Sequence, residues 1–186
     1  MPSNRRTQTG PEKRLELINA ARQLFIEEGY EATSINRIAQ CANITTNTIY
    51  WYFKDKDELL VAVLEELHQE DLVAFASEAA ALPHAQQLAW LVARLRPIRS
   101  LVTTVHSRAK SSDSVRSWHE RLHVTLEALI VGSLSPAWTP QRRAAEIAIA
   151  SFTLEGLISH DVDDGHVVDV CNALVEKWLQ ALPASS

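Results

Sequence analysis

Thr45, Thr46, Asn47, Thr48, Tyr50, Trp51 and Tyr52 place hydrogen-bonding or aromatic side chains almost without interruption in the run TTNTIYWY. Such groups bond base edges and phosphate oxygens and pack against sugars. Ile49 and Phe53 lie four residues apart and form an inward pair on a helix. Thr46, Asn47, Tyr50 and Trp51 are then left pointing largely outward. A short helix that buries Ile and Phe while exposing Thr, Asn, Tyr and Trp suits insertion into a DNA groove.

Other constellations speak of different chemistry. His119 and His123 are one helical turn apart, the spacing of two metal ligands on one face. The sequence shows no third ligand beside them, so no metal site is expected. His160-Asp161-Val162-Asp163-Asp164-Gly165-His166 gathers metal-competent side chains in one loop, yet Asp caps and a Gly turn belong at such a helix junction without any metal. Cys41 and Cys171 are the only cysteines, and both read as reduced, mostly buried thiols. No dinucleotide fingerprint, phosphate loop, Gly-x-Ser-x-Gly elbow or His-Glu-x-x-His motif occurs, so no enzyme is expected and no cofactor is implied.

The elements that position these residues are helices. Ile35, Ile38, Ala39 and Ala42 recur at i, i+3, i+4 and i+7, one apolar stripe on a short helix. Asn43 can take the left-handed conformation that a sharp turn needs, and Thr45 is a natural N-cap for the next helix. Ile44 and Ile49 fit a hydrophobic staple. Together these make a helix-turn-helix. Ahead of it, a helix over residues 11–28 has Pro near its start and Gly29 just past its end. After it, Asp55 caps a long helix with Glu58 as capping-box partner, and Leu60, Val63, Leu64 and Leu67 form its inward stripe. Continued to Ala80, that helix is ~36 Å long at ~1.5 Å per residue.

Beyond Pro83, helices are expected at about 84–96, 98–110 and 114–133, with Ser135-Pro136 closing the set. Thr139 as N-cap and Pro140 at the first helical position open a helix over about 140–160, and another follows over about 166–182. Both are apolar nearly all round, the second up to Leu182. Such helices are buried on two sides, either centrally in their own body or against another subunit.

Charge is unevenly spread. The chain of 186 residues has a net charge of −5, but residues 1–56 carry net +2 and the remainder net −7. A mildly basic head on an acidic body orients a molecule toward DNA. The polar tail before Pro11 carries Arg5 and Arg6, able to touch phosphate or simply to remain solvated. Neither a signal peptide nor a membrane-spanning apolar run is present, so a soluble cytoplasmic protein with no membrane partner is expected.

The stretch from Leu15 to Leu60 resembles the DNA-binding domain of the TetR/AcrR family of bacterial transcriptional regulators. The carrying residues are Ile18 to Phe25, Glu28-Gly29-Tyr30, Ile38-Ala39, the turn Ala42-Asn43-Ile44-Thr45, and Tyr50-Trp51-Tyr52-Phe53-Lys54-Asp55-Lys56. The family's usual turn Gly is Asn43 here, and its usual small residue is Asn47. The resemblance implies an all-α protein. A flexible arm (1–10) would precede an N-terminal three-helix domain with the helix-turn-helix (11–56), joined by the long helix to a larger helical effector-binding and dimerisation domain (57–186).

It further implies a sequence-specific, ligand-responsive repressor that binds a palindromic double-stranded DNA operator as a homodimer through the helices near 140–160 and 166–182. A DNA-bound regulator without a small-molecule effector, or an activator, is the alternative. As the resemblance implies, Thr45, Thr46, Asn47 and Thr48 open the recognition helix toward bases or phosphates. Tyr50 and Tyr52 donate hydroxyls to phosphates, and Trp51 packs on sugar or a thymine methyl. Lys56 adds charge at a helix N-terminus, Ser34 and Asn36 contact phosphate or base, and Arg37 is either a contact or a solvated charge. For the unidentified effector, Trp90, His106, Trp118, His119, His123 and Phe152 are pocket candidates, although Trp90, Trp118 and Phe152 read equally as ordinary core.

Overall fold

The structure is a computed structural model and describes residues 10–180 except 133 and 135–137. The arm arginines Arg5 and Arg6, the Ser135-Pro136 break and Leu182 lie outside the described residues. Among the described residues every regular element is a helix: α1 (Gly10–Glu27), α2 (Ile35–Cys41), α3 (Thr46–Tyr52), α4 (Lys56–Ala74), α5 (His84–Leu95), α6 (Arg99–Arg108), α7 (Asp113–Val131), α8 (Pro140–Ser159) and α9 (Asp164–Gln180). No described helix is long and apolar enough to cross a membrane.

Local sequence sets these boundaries. Gly29 ends α1 at φ +86°, a conformation that side chains with a Cβ rarely adopt. Asn43 turns the chain between α2 and α3 at φ 51°. Ser34, Thr45, Asp55 and Thr139 cap α2, α3, α4 and α8, each side chain accepting from the backbone N–H three residues on. The Asp55–Glu58 box closes slightly differently from the expected form. Glu58 accepts from the backbone N–H of Lys54 at 2.7 Å rather than from that of Asp55.

α4 does continue toward Ala80, but its last stretch, Phe75–Ala79, is a π-helical turn. Ser77 Oγ donates to the carbonyls of Val73 and Ala74, both at 3.1 Å, which favours widening the helix there. A 3-10 turn, Arg96–Ile98, joins α5 to α6 at Pro97.

Apolar side chains gather in two clusters, and neither ends at residue 56. The first joins α1, α2, α3 and α4 with Leu101 and Val105 of α6 and Val115 and Trp118 of α7. The second joins α5, α8 and α9 with Ile130 and Leu134. The helix-turn-helix is therefore seated through α1 and α4 on a layer formed by α6 and α7. The inward stripe of α4 is as expected: Leu60, Val63, Leu64 and Leu67 are all buried.

One buried charge has no counterpart in the sequence reading. Glu146 of α8 is 3% exposed and is held by Arg142 at 3.0 Å and Lys177 of α9 at 2.7 Å. Burial pushes its pKa up, but these two cations outweigh burial and keep it ionised below the usual range. Cys171 is buried, its thiol pushed up to about 11 by desolvation, which makes it inert. Cys41, expected to be mostly buried, is exposed. It ends α2 on the side away from the Ile38 and Ala39 stripe.

Candidate nucleic-acid interface and ligand cavity

α3 is fixed by what it buries. Ile49 is fully buried and Phe53 nearly so, while Ile44 packs against the same cluster ahead of the cap. With that face seated, the opposite face is forced outward. Trp51 is 88% exposed and Tyr50 55%, Asn47 is exposed and Thr46 half-buried. Among the described residues, none of these four side chains has a hydrogen-bond partner. An amide, a hydroxyl, a phenol and an indole standing unpaired on one small convex face can serve base edges and phosphates.

The remaining residues expected at the interface divide into outward and inward groups. Ser34 and Asn36 are exposed at the start of α2, and the Ser34 oxygen accepts from the backbone N–H of Arg37 at 3.1 Å, leaving its hydroxyl proton free to donate. Thr45 Oγ1 accepts from the backbone N–H of Thr48 at 3.3 Å and lies 3.0 Å from Thr48 Oγ1, so these two threonines serve chiefly as the cap. Tyr52 is half-buried against the first cluster, its hydroxyl beside Gly10 at the start of α1. Arg37 is paired with Glu28 through two guanidinium nitrogens at 3.1 and 2.6 Å, which cancels its charge locally.

Lys56 departs most from expectation. Its ammonium turns inward, donates to the carbonyls of Tyr30 at 2.9 Å and Thr33 at 3.0 Å, and sits 4.0 Å from the centre of the Tyr30 ring. Burial lowers its pKa. It fastens the loop after α1 onto the start of α4, and its ammonium is engaged within the protein. The outward cation is Lys54, two residues earlier. It is exposed and has no ion-pair partner among the described residues. Its position just ahead of the Asp55 cap, off the helix, was the signal that sequence reading passed over.

α4 also carries the link to the body. Asp57, in its first turn, accepts from Arg108 at the end of α6, with Nε at 3.0 Å and the terminal nitrogen at 2.5 Å, and from the Tyr30 hydroxyl. Burial raises the Asp57 pKa, but the bonds from Arg108 and Tyr30 outweigh it and the net shift is downward. Burial and the Asp57 bond together drive the Tyr30 phenol well above its ordinary value.

Further along α4, a cavity of about 180 Å³ opens between α4, α5, α6, α7 and α8. Leu64, Leu67 and Phe75 of α4 and its π turn form one wall. Five of the six pocket candidates line the cavity: Trp90, His106, Trp118, His119 and His123. Trp90 is edge-on to Phe75 and donates its indole N–H to Glu78 at 3.1 Å. Trp118 serves both readings, since it also belongs to the first apolar cluster. Phe152 is a correction. It is 72% exposed on α8, on the face away from the cavity.

The expectation of no metal-ligand set also needs revision. α6 brings His106 beside the His119–His123 pair of α7, and one ligand atom from each lies within 4.8 Å of the other two. The loop from His160 to His166 forms no such group among the described residues. There Asp163 caps α9 by accepting from the backbone N–H of His166 at 3.0 Å. Arg96 binds the Val162 carbonyl and, at 3.1 Å, Asp164.

Residues 17–63 match the family model described as bacterial regulatory proteins, tetR family. The chain is 41% identical over 68 residues to the HTH-type transcriptional regulator TtgR of Pseudomonas putida, an alignment covering 36% of this chain and 32% of that protein. The match thus spans about a third of the length of that curated relative. Over nearly the whole chain the fold is that of a transcriptional regulator from Rhodococcus sp. Rha1, with TM-score 0.70 and 19% identity, covering 96% of this chain and 100% of that one. It is likewise similar to the transcriptional regulator FadR from Bacillus subtilis in complex with stearoyl-CoA, with TM-score 0.61 and 17% identity over 90% and 98% of the two chains. Residues 17–63 thus carry the helix-turn-helix of the tetR family of bacterial regulatory proteins, and the chain as a whole shares the all-helical fold of these solved regulators.

Proposed function

We propose that this protein is a sequence-specific DNA-binding transcriptional regulator, acting as a ligand-responsive repressor on a palindromic operator as a homodimer. The observation that carries the reading is the outward face of α3. Asn47, Tyr50 and Trp51 stand exposed and without partners among the described residues, on a helix anchored by Ile49 and Phe53. A hairpin used only for packing has no reason to leave an indole 88% exposed.

Dimerisation follows from α8 and α9. Ile149 and Phe152 of α8 and Val168 and Leu179 of α9 are exposed apolar side chains on helices whose other faces are buried. A second copy of these helices covers them, and two α3 helices related by a two-fold axis read inverted half-sites.

The effector reading rests on the cavity and its neighbours. FadR carries stearoyl-CoA in a similar fold. A cavity of about 180 Å³ here suits a much smaller, largely apolar molecule with a polar end at the histidines. A ligand there touches α4 directly and α6 through His106, two residues from Arg108. A shift of α6 or α4 alters the Arg108–Asp57–Tyr30 bonds and so the seat of the helix-turn-helix.

The test is fluorescence anisotropy of the purified protein on its own upstream intergenic DNA against scrambled DNA, over a salt series. Tight binding to the intergenic fragment alone is the expected result. Equal and steeply salt-sensitive binding to both means phosphate attraction only and counts against sequence reading on that fragment.

A further inference from the structure

His106 of α6 and His119 and His123 of α7 form a three-imidazole cluster in the cavity wall. The rings of His106 and His119 are edge-on with centroids 4.9 Å apart, and those of His119 and His123 edge-on at 4.4 Å. His119 Nε2 and His123 Nε2 are 3.0 Å apart. Two nitrogens bound to a tetrahedral zinc at ~2.0–2.1 Å lie about 3.3 Å apart, so this pair needs to open by only a few tenths of an ångström. The third side is set by α6 packing on α7, and from a span of up to 4.8 Å the group must close by as much as about 1.5 Å to bring His106 to the same distance.

His119 stands between the other two rings, edge-on to His106 on one side and to His123 on the other. A neutral imidazole has one donor and one acceptor nitrogen, so the 3.0 Å contact of His119 with His123 is a hydrogen bond between rings, whose proton a bound metal ion replaces. A cation placed among them satisfies all three. Glu155 of α8 places a carboxylate oxygen 3.8 Å from His106 Nε2, beyond hydrogen-bond distance but near enough to balance the charge of an ion.

We propose that His106, His119 and His123 bind one divalent transition-metal ion of the borderline class, zinc, cobalt or nickel, in the cavity wall. Nitrogen donors favour these ions over magnesium or calcium, which take oxygen ligands. Three protein ligands leave a further coordination position for water or for a polar group of a cavity ligand. The ion ties α6 to α7 in the wall of the cavity proposed above for an effector. The site itself does not depend on that proposal; only a signalling role for the ion would.

The test uses the full-length protein, stripped with chelator and titrated with Co2+ and then Zn2+. It reads visible d–d absorption, calorimetric stoichiometry and melting temperature, with no DNA present. One ion per chain is expected, with a raised melting temperature and an affinity loss of at least about 100-fold in His119→Gln/His123→Gln. The single variant His106→Gln, on the other helix, is expected to weaken binding as well and serves if the double variant does not fold. No binding at micromolar zinc would overturn the site. So would unchanged stoichiometry and affinity in folded variants, which would place the ion elsewhere. Either failure leaves the DNA-binding reading untouched, because operator anisotropy is measured separately.

Discussion

Lys54 and Lys56 are two residues apart and have opposite roles. Lys56 belongs to the first turn of α4 and turns back to the Tyr30 and Thr33 carbonyls, whereas Lys54 stands outside the helix and faces solvent. Lys54→Ala is expected to weaken binding to all DNA sequences alike and to flatten the slope of log K against log salt by about 0.9 for the lost phosphate contact. Lys56→Ala is expected to keep that slope and to cost about 1–3 kcal/mol of folding stability, since two carbonyls lose a charged donor. A flattened salt slope in Lys56→Ala alone would reverse the assignment. Asn47 tests base reading separately. Asn47→Ala is expected to relax preference at one position of each half-site by ~1–3 kcal/mol, read by selection from randomised half-sites, while binding to scrambled DNA stays the same. Unchanged preference would remove Asn47 from the readout. The outward placement of Asn47, Tyr50 and Trp51 was legible because Ile49 and Phe53 fix the face of α3. The direction of Lys56 was not, because it depends on how the loop after α1 folds over α4, and residue spacing carries no such information.

At the scale of elements, α4 and α6 meet through one carboxylate. Asp57 holds Arg108 and Tyr30, and its net pKa is depressed, so the ionised form is favoured in the folded state. Its contribution is fully present above the unfolded value of about 3.9 and is lost as pH falls through the lower folded value. Asp57→Asn is therefore expected to lower stability near neutral pH by about 1–3 kcal/mol. The gap from the unsubstituted protein should narrow only below about pH 4. Thermal melts of both proteins from neutral to acid pH measure it, and a gap that stayed constant through the acid range would show that Asp57 ionisation does not support this junction. Sequence alone located the caps of α3, α4 and α8, the left-handed turn at Asn43 and the stripe of α4, because each is a short-range device of a few neighbouring residues. It did not locate the Asp57–Arg108 bond or the approach of His106 to His119, which span α4, α6 and α7. The π turn at Phe75–Ala79 left one trace, Ser77, whose hydroxyl bonds back to the preceding turn.

For the whole molecule, the open question of α8 and α9 is what covers their outer faces. Phe152 is 72% exposed and Ile149 43%, three residues apart on α8, and Leu179 is 53% exposed on α9. Their apolar character all round was legible from sequence, but whether a given side chain faced the cavity or a second subunit was not. Phe152 shows the difference: its aromatic type suits a pocket, and its place on the helix turns it outward. Burying an aromatic side chain of this size contributes about 1.5–3 kcal/mol, and a two-fold interface buries it twice. Phe152→Glu replaces both copies with like charges on a body already carrying net −7. The unsubstituted protein is expected to sediment as the proposed dimer and the variant, at the same concentration, as a monomer with its helical content unchanged. Its operator affinity should fall toward that of non-specific binding, because two half-site contacts are no longer joined, while the salt dependence per chain persists. A variant that remained dimeric would move the interface off this face of α8. One that became monomeric yet kept full operator affinity would separate dimerisation from DNA reading.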